Sequence, residues 1–142
     1  MAQELLGQKR VITLALAQKL AAVAEREIIE RDWRMYVTIG DDSGLPILVT
    51  RVNQAQPASY DISVLKAQCA ARFRRPTKVW EERVKGGAPN IMSLPGVVAS
   101  EGGVPLVVND ELLGAVGVSG GTGAEDGVIA AAVLEELARL VG

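Results

Sequence analysis

The sequence predicts an α+β domain in which helices flank a five-stranded antiparallel sheet, and three observations carry that prediction. Apolar residues recurring at three- and four-residue steps mark a helix near the start and another at the end. Short apolar runs bounded by Gly, Asp, Asn and Pro fall in two groups, two strands and then three, with one or two helices between them. Strands grouped in this way pair as antiparallel neighbours rather than through parallel crossovers. The chain of 142 residues is one domain, large enough to bury its own core, and no internal repeat, linker or low-complexity stretch divides it.

Residues 1–12 read as an arm or a short helix. The first full helix spans 14–30, with Thr13 as its N-cap and Leu14, Ala17, Ala21, Ala24 and Ile28 as its apolar stripe. Residues 35–39 and 47–52 are strands, joined by Gly40-Asp41-Asp42-Ser43-Gly44-Leu45-Pro46, whose Asp, Ser and Gly residues favour turns. Ser59 is expected to cap a second helix through Arg74, burying Ile62, Leu65, Ala70 or Cys69, and Phe73, with Pro76 ending it. Thr77 then caps a short helix through Arg83, anchored by Trp80. Residues 85–96, with Gly86, Gly87, Pro89, Pro95 and Gly96, form a surface loop. Strands are expected at 97–100, 104–108 and 112–118, the last two joined through Asn109-Asp110, and residues 124–141 close the chain as a helix.

The balance of 15 basic against 17 acidic residues gives a net charge of −2 and no electrostatic footprint for nucleic acid. The cluster Arg72, Arg74, Arg75 and Lys78 reads as a solvated helix end, since Glu81 and Glu82 follow it. No run approaches the length of a membrane span and no signal peptide is evident, so neither a membrane nor export is expected and the cytoplasm is the expected compartment. A single cysteine, Cys69, excludes an internal disulfide. The sequence has no histidine. That removes the commonest general acid/base, the imidazole metal ligand and every histidine-based triad. Chemistry here rests on carboxylates, Lys, Arg, Tyr, Ser, Thr, Cys69 or backbone groups.

The glycine-rich corner Gly117-Val118-Ser119-Gly120-Gly121-Thr122-Gly123 opens the last helix. It is either a tight strand-to-helix reversal or a cradle for an anion, because a helix start presents unpaired N–H groups. Glu125 and Asp126 in the first turn suit the helix dipole, and either could instead move a proton. Lys66 lies on a helix face of small residues, so it either snorkels to solvent, as its periodicity favours, or projects into a cleft. Arg51, at the end of the second strand, suits a bidentate carboxylate clamp or a sheet-edge charge. Cys69 reads as a small buried hydrophobe, and Tyr36 and Tyr60 as core or rim residues.

Taken together, Leu14-Ala15-Leu16-Ala17, Arg51, Pro57-Ala58-Ser59, Lys66-Ala67, Arg72-Phe73 with Pro76-Thr77, Gly102-Gly103-Val104-Pro105, Gly114-Ala115-Val116-Gly117-Val118-Ser119-Gly120 and Glu125-Asp126 resemble the GlcG/HbpS-like family, which includes the C-terminal domain of PduO-type proteins. The resemblance runs over 13–141. It implies a profilin-like α/β/α sandwich and a homo-oligomer; with a mean hydropathy of +0.21, the first helix or the 86–96 loop, with the exposed sheet edge, is the expected interface. It also implies a small-molecule-binding protein whose ligand is haem or another tetrapyrrole, in a cleft near Lys66 and the 119–123 corner. The expected lining is Arg51, Lys66, Thr77, Gly102, Gly103, Ser119, Gly120 and Gly121. Without histidine, an iron ligand would have to be Cys69, a tyrosine, a methionine, a lysine or Thr77, which weakens haem as the cofactor. The alternatives are a small histidine-free enzyme acting on a polar organic acid, with Lys66 or Glu125 moving the proton, and a structural oligomer without chemistry.

Overall fold

The two faces of the sheet carry different side chains, and that difference sorts the helices into layers. The computed structural model describes residues 2–142, so Met1, the first residue of the expected arm, lies outside the described residues. Strands β1 (Tyr36–Gly40), β2 (Pro46–Arg51), β3 (Gly103–Val108) and β4 (Glu111–Ser119) pair antiparallel in the order β2-β1-β4-β3. Helices α1 (Leu14–Glu30) and α4 (Gly123–Val141) cover one face, and α2 (Ala58–Phe73) covers the other, followed by α3 (Thr77–Lys85).

The face under α1 and α4 is bulky. Val37, Ile39, Leu106, Val116 and Val118 interlock there with Leu20, Ala24, Ile28, Ile129, Val133 and Leu137. Each fully buried Val, Leu or Ile contributes about 1.5–3 kcal/mol, so this layer supplies most of the hydrophobic stabilisation. The opposite face is paved with small residues. In register, Thr38 pairs with Gly117, Gly40 with Ala115, and Gly103 with Gly117. A Cβ on Gly117 would collide with the Ser63 carbonyl oxygen and stand 2.6 Å from the Ala67 amide nitrogen, so the α2 backbone rests directly on β4. Ala67, Ala70 and Ala71 pack on Ala115, and the Thr38 and Ser63 hydroxyls bond at 2.9 Å.

Local signals placed several elements as expected. Thr13 caps α1, its hydroxyl accepting from the Leu16 N–H at 3.1 Å. In the β1–β2 turn, Asp41 Oδ1 accepts from the Ser43 and Leu45 N–H groups, both at 2.9 Å. Asn109 and Asp110 join β3 to β4 with φ of 52° and 64°, the two consecutive left-handed residues of a hairpin turn that follows strand twist.

Other expectations are corrected. The sheet has four strands, not five. Residues 97–100 form no ladder, because the outer edge of β3 offers little to pair with. The Gly103 N–H is taken by the Thr77 hydroxyl at 2.9 Å, and Pro105, two residues on, has no N–H. The 97–99 segment instead packs beside Cys69, Trp80 and Ile91. Helix α2 starts at Ala58 with Pro57 at its N-cap; Ser59 is buried in the first turn, accepting from Gln56 Nε2 at 3.1 Å. The α2 stripe is shifted: Cys69 and Ala70 face inward as expected, joined by Ser59, Ser63, Lys66, Ala67 and Ala71, while Ile62 and Leu65 are exposed and Phe73 is half-buried. A bulky inward stripe would hold the helix off the glycine-paved strand. Leu14 is likewise exposed, and Leu20 and Val23 complete the buried side of α1. The 85–96 loop contains a 3-10 turn at Pro89–Ser93, and the N-terminal arm carries another at Ala2–Leu5.

Gly117→Ala is expected to lower the unfolding free energy by about 3 kcal/mol, the upper end of overpacking costs, because backbone rather than a flexible side chain stands in the way. Gly7→Ala, with open space around it, should change stability by less than about 0.5 kcal/mol. Urea denaturation of the two variants checks both values.

Candidate functional site

Lys66 is the largest fully buried side chain in the protein's described residues. The small inward face of α2 gives its four-carbon stem room, and its ammonium comes to rest where the end of β4, the segment before β3 and the start of α4 meet. There Nζ donates to the Glu101 carbonyl at 2.8 Å, the Val118 carbonyl at 2.9 Å and Asp126 Oδ2 at 2.8 Å. An ammonium has three donors, and all three are used. Asp126, only 2% exposed, accepts the Gly121 N–H on its other oxygen at 3.0 Å. Burial pushes the Asp126 carboxyl above its ordinary range, against the pull of the Lys66 ammonium and the Gly121 N–H. Gly102, at φ 131°, leaves room for this cluster: a Cβ there would stand 2.6 Å from the Val118 oxygen and 2.9 Å from Nζ. Lys66 therefore does not snorkel. It is neither solvated nor free.

The corner satisfies itself in a similar way. Thr122 caps α4 with a reciprocal pair, its hydroxyl accepting from the Glu125 N–H at 3.2 Å and its N–H donating to Glu125 Oε1 at 2.8 Å. With Gly121 bonded to Asp126, these N–H groups point at the protein's own carboxylates rather than at an open cradle. The Glu125 carboxylate is a cap. Thr77 is the first residue of α3, which has Pro76 at its N-cap; the Thr77 hydroxyl is turned to Gly103. Gly102 and Gly103 are buried, Gly120 is half-buried and Gly121 is exposed.

Arg51 and Ser119 lie on the same row of the sheet end, one on each side of Tyr36: Tyr36 pairs with Arg51 on β2 and with Ser119 on β4. Arg51 is exposed and has no ion-pair or hydrogen-bond partner among the described residues. The structure thus brings Lys66, Gly102, Ser119, Gly121 and Asp126 to one end of the fold. It turns the lysine and aspartate inward and leaves Arg51 open.

Sequence reasoning missed Asp126 as the partner of Lys66. The available signal was an acidic residue in the first turn of a helix whose cap, Thr122, already had Glu125 in the capping-box position. Tyr36, read as core or rim, stands in the middle of the Arg51–Ser119 row. Surface grooves have other linings: one of ≈ 210 Å³ runs between Leu65, Gln68, Arg72, Phe73, Pro95 and Gly96, and another of ≈ 260 Å³ lies between α1 and α4. Cys69 is buried, its sulfur accepting the Val98 N–H at 3.4 Å, and burial pushes its thiol pKa up. Among the described residues no cluster of three His, Cys, Asp or Glu could hold a metal, and no helix is long and apolar enough to cross a membrane.

Residues 12–135 match the family described as haem-degrading protein, HbpS-like. The chain belongs to the HbpS-like family. This HbpS-like chain is 36% identical over 111 residues to protein GlcG of Escherichia coli (strain K12), a match covering 78% of this chain and 83% of GlcG. Its fold superposes on the crystal structure of Klebsiella pneumoniae protein ORFY with a TM-score of 0.83 at 31% identity, covering 92% of this chain and 94% of that one. A doubly substituted variant of Streptomyces reticuli HbpS superposes with a TM-score of 0.83 at 28% identity, covering 96% of this chain and 91% of that one.

Lys66→Met is expected to destabilise the protein by about 3–5 kcal/mol, since it leaves Asp126 buried without its counter-charge. The double variant Lys66→Met/Asp126→Leu should recover part of that loss. Denaturation midpoints of the two variants and the parent decide the matter: equal stability of Lys66→Met and the parent would contradict the buried pair.

Proposed function

We propose that this HbpS-like protein binds a small molecule at the end of the sheet where the exposed Arg51 shares a row with Ser119, next to Gly120 and Gly121. The observation that carries this reading is the exposed Arg51 guanidinium at the end of β2, a cation with no side-chain partner among the described residues. Lys66, Asp126, Thr77, Gly102 and Gly103 act from beneath as positioning groups. The buried pair fixes the end of β4 and the start of α4, and Thr77 fixes the start of β3. The engagement of Lys66 and Glu125 favours binding over proton transfer by these two residues.

Haem, as the family description suggests, meets an unfavourable donor set. Lys66 and Thr77 are buried and hydrogen-bonded, Cys69 is buried with its sulfur accepting an N–H, and Met35 is fully buried. Tyr60 and Met92 reach the surface, and no imidazole exists. The buried donors do not fit an iron-ligating site, which leaves Tyr60 and Met92 as the accessible side chains of those types that could reach a haem iron.

Self-association belongs to the same reading. Tyr60, Ile62 and Leu65 on α2 and Met92 and Leu94 in the 86–96 loop expose apolar surface beside the groove that Leu65 shares with Pro95 and Gly96. A second copy of the chain would cover it.

Haem titration followed by absorbance should give weak binding without a histidine-type low-spin spectrum; a tight bis-nitrogen complex would refute this assignment. Light scattering at micromolar concentration should show an oligomer, and Leu65→Glu should shift it toward monomer with the fold intact by circular dichroism.

A further inference from the structure

Two largely buried residues at the end of the sheet keep their hydroxyl oxygens open to solvent. Tyr36 is 9% exposed and Ser119 4% exposed, and neither side-chain oxygen has a hydrogen-bond partner among the described residues. The hydroxyls of Thr38, Ser63, Thr77 and Ser59 are instead turned to protein partners: Thr38 meets Ser63, Thr77 meets Gly103, and Ser59 meets Gln56. Neither oxygen belongs with the fully enclosed unpaired atoms, a condition that only the Trp80 indole nitrogen meets among the described residues. Both therefore touch solvent.

The ladder fixes where these hydroxyls point. Directly opposed residues of antiparallel strands share a face. The Tyr36 ring meets the Tyr60 ring of α2 edge to face, with centroids 5.8 Å apart, so Tyr36, Ser119 and Arg51 all face the α2 side. Adjacent strands are about 4.8 Å apart, so the row from Arg51 to Ser119 spans about 10 Å, the length of a small organic molecule. The chain leaving Arg51 is also strained. Asn53 and Gln54 both hold positive φ, 38° and 61°, and a glutamine has no intrinsic reason to adopt that conformation. Such strain collects at ligand-holding loops.

Resting on the ligand-binding reading above, we propose that the Arg51–Tyr36–Ser119 row recognises the carboxylate of a small organic acid. The guanidinium is a planar fork matched to a planar carboxylate. The Tyr36 hydroxyl, next in the row, donates to the same carboxylate, and the Ser119 hydroxyl meets a polar substituent further along the molecule. One guanidinium flanked by neutral hydroxyls complements a single negative charge better than a phosphate dianion.

Isothermal titration of the full-length protein with acetate, lactate and benzoate, and with inorganic phosphate at matched ionic strength, tests this assignment. Saturable binding of at least one monocarboxylate is expected, tighter than phosphate, weakened tenfold or more by Arg51→Gln and severalfold by Tyr36→Phe. Arg51→Lys should retain only part of the affinity, because an ammonium keeps the charge and loses the fork. Circular dichroism and thermal melting of each variant establish that it is folded; should Tyr36→Phe not fold, Arg51→Gln on the exposed strand end decides alone. Carboxylate binding unchanged by Arg51→Gln, phosphate binding equal to that of the carboxylates, or no carboxylate binding at all would overturn the proposal. Haem titrated in parallel separates the two readings: haem binding to a protein indifferent to carboxylates would leave the binding function standing and remove only the row's assignment.

Discussion

One buried ammonium organises this protein. Lys66 ties α2 to the segment before β3, to the last bonds of β4 and to the first turn of α4, through acceptors that come from three separate parts of the chain. Taking a charge out of water is costly, and only full satisfaction of its donors makes such a site tolerable. The arrangement is therefore all or nothing. Either Glu101, Val118 and Asp126 are in place together, or the lysine must leave the interior and α2 must lift from the sheet. What the ammonium contributes is less net stability than a single permitted geometry at the end of the sheet where Arg51, Tyr36 and Ser119 align.

That geometry depends equally on what is missing from the sheet. Gly117, Ala115 and Gly103 let α2 sit on the strands at backbone distance, and this closeness brings the base of the lysine within reach of β4. The bulky residues of α2 are consequently turned outward. The two faces thus differ in kind: α1 and α4 bury the aliphatic core on one, while the other is given to hydroxyls, small residues and the Lys66–Asp126 pair.

Features set by neighbouring residues were legible in the sequence. Thr13 before an apolar helix, Pro76 after a helical run, and Asn109-Asp110 between two apolar stretches each carry their meaning within a few positions. The four observed strands and four helices follow from such signals, as does the family, whose pattern is spread over most of the chain. The errors share a different origin. Residues 97–100 have strand composition, and whether they pair is decided by Thr77 and Pro105, which block the adjacent edge. The rotation of α2 is decided by Gly117, some fifty residues away, and no periodicity within the helix reports it. Lys66 illustrates the same limit, since a lysine on a small-residue face has one meaning beside water and another beside Asp126. Among the candidate site residues, the sequence could name Arg51 and Ser119; only strand register could place them on either side of Tyr36.

The order in which the chain leaves the ribosome gives the lysine a further consequence. Its acceptors lie 35, 52 and 60 positions downstream, so a nascent chain exposing α2 cannot yet neutralise it. Contacts so distant in sequence form late and slow the search for the native state. Until Asp126 and the helix behind it have emerged, α2 has a charge where its packing face should be, and docking it early would bury that charge alone. Docking of α2 on the glycine-lined face is thus tied to the arrival of Asp126, and a chain cut before that position would lack the lysine's counter-charge.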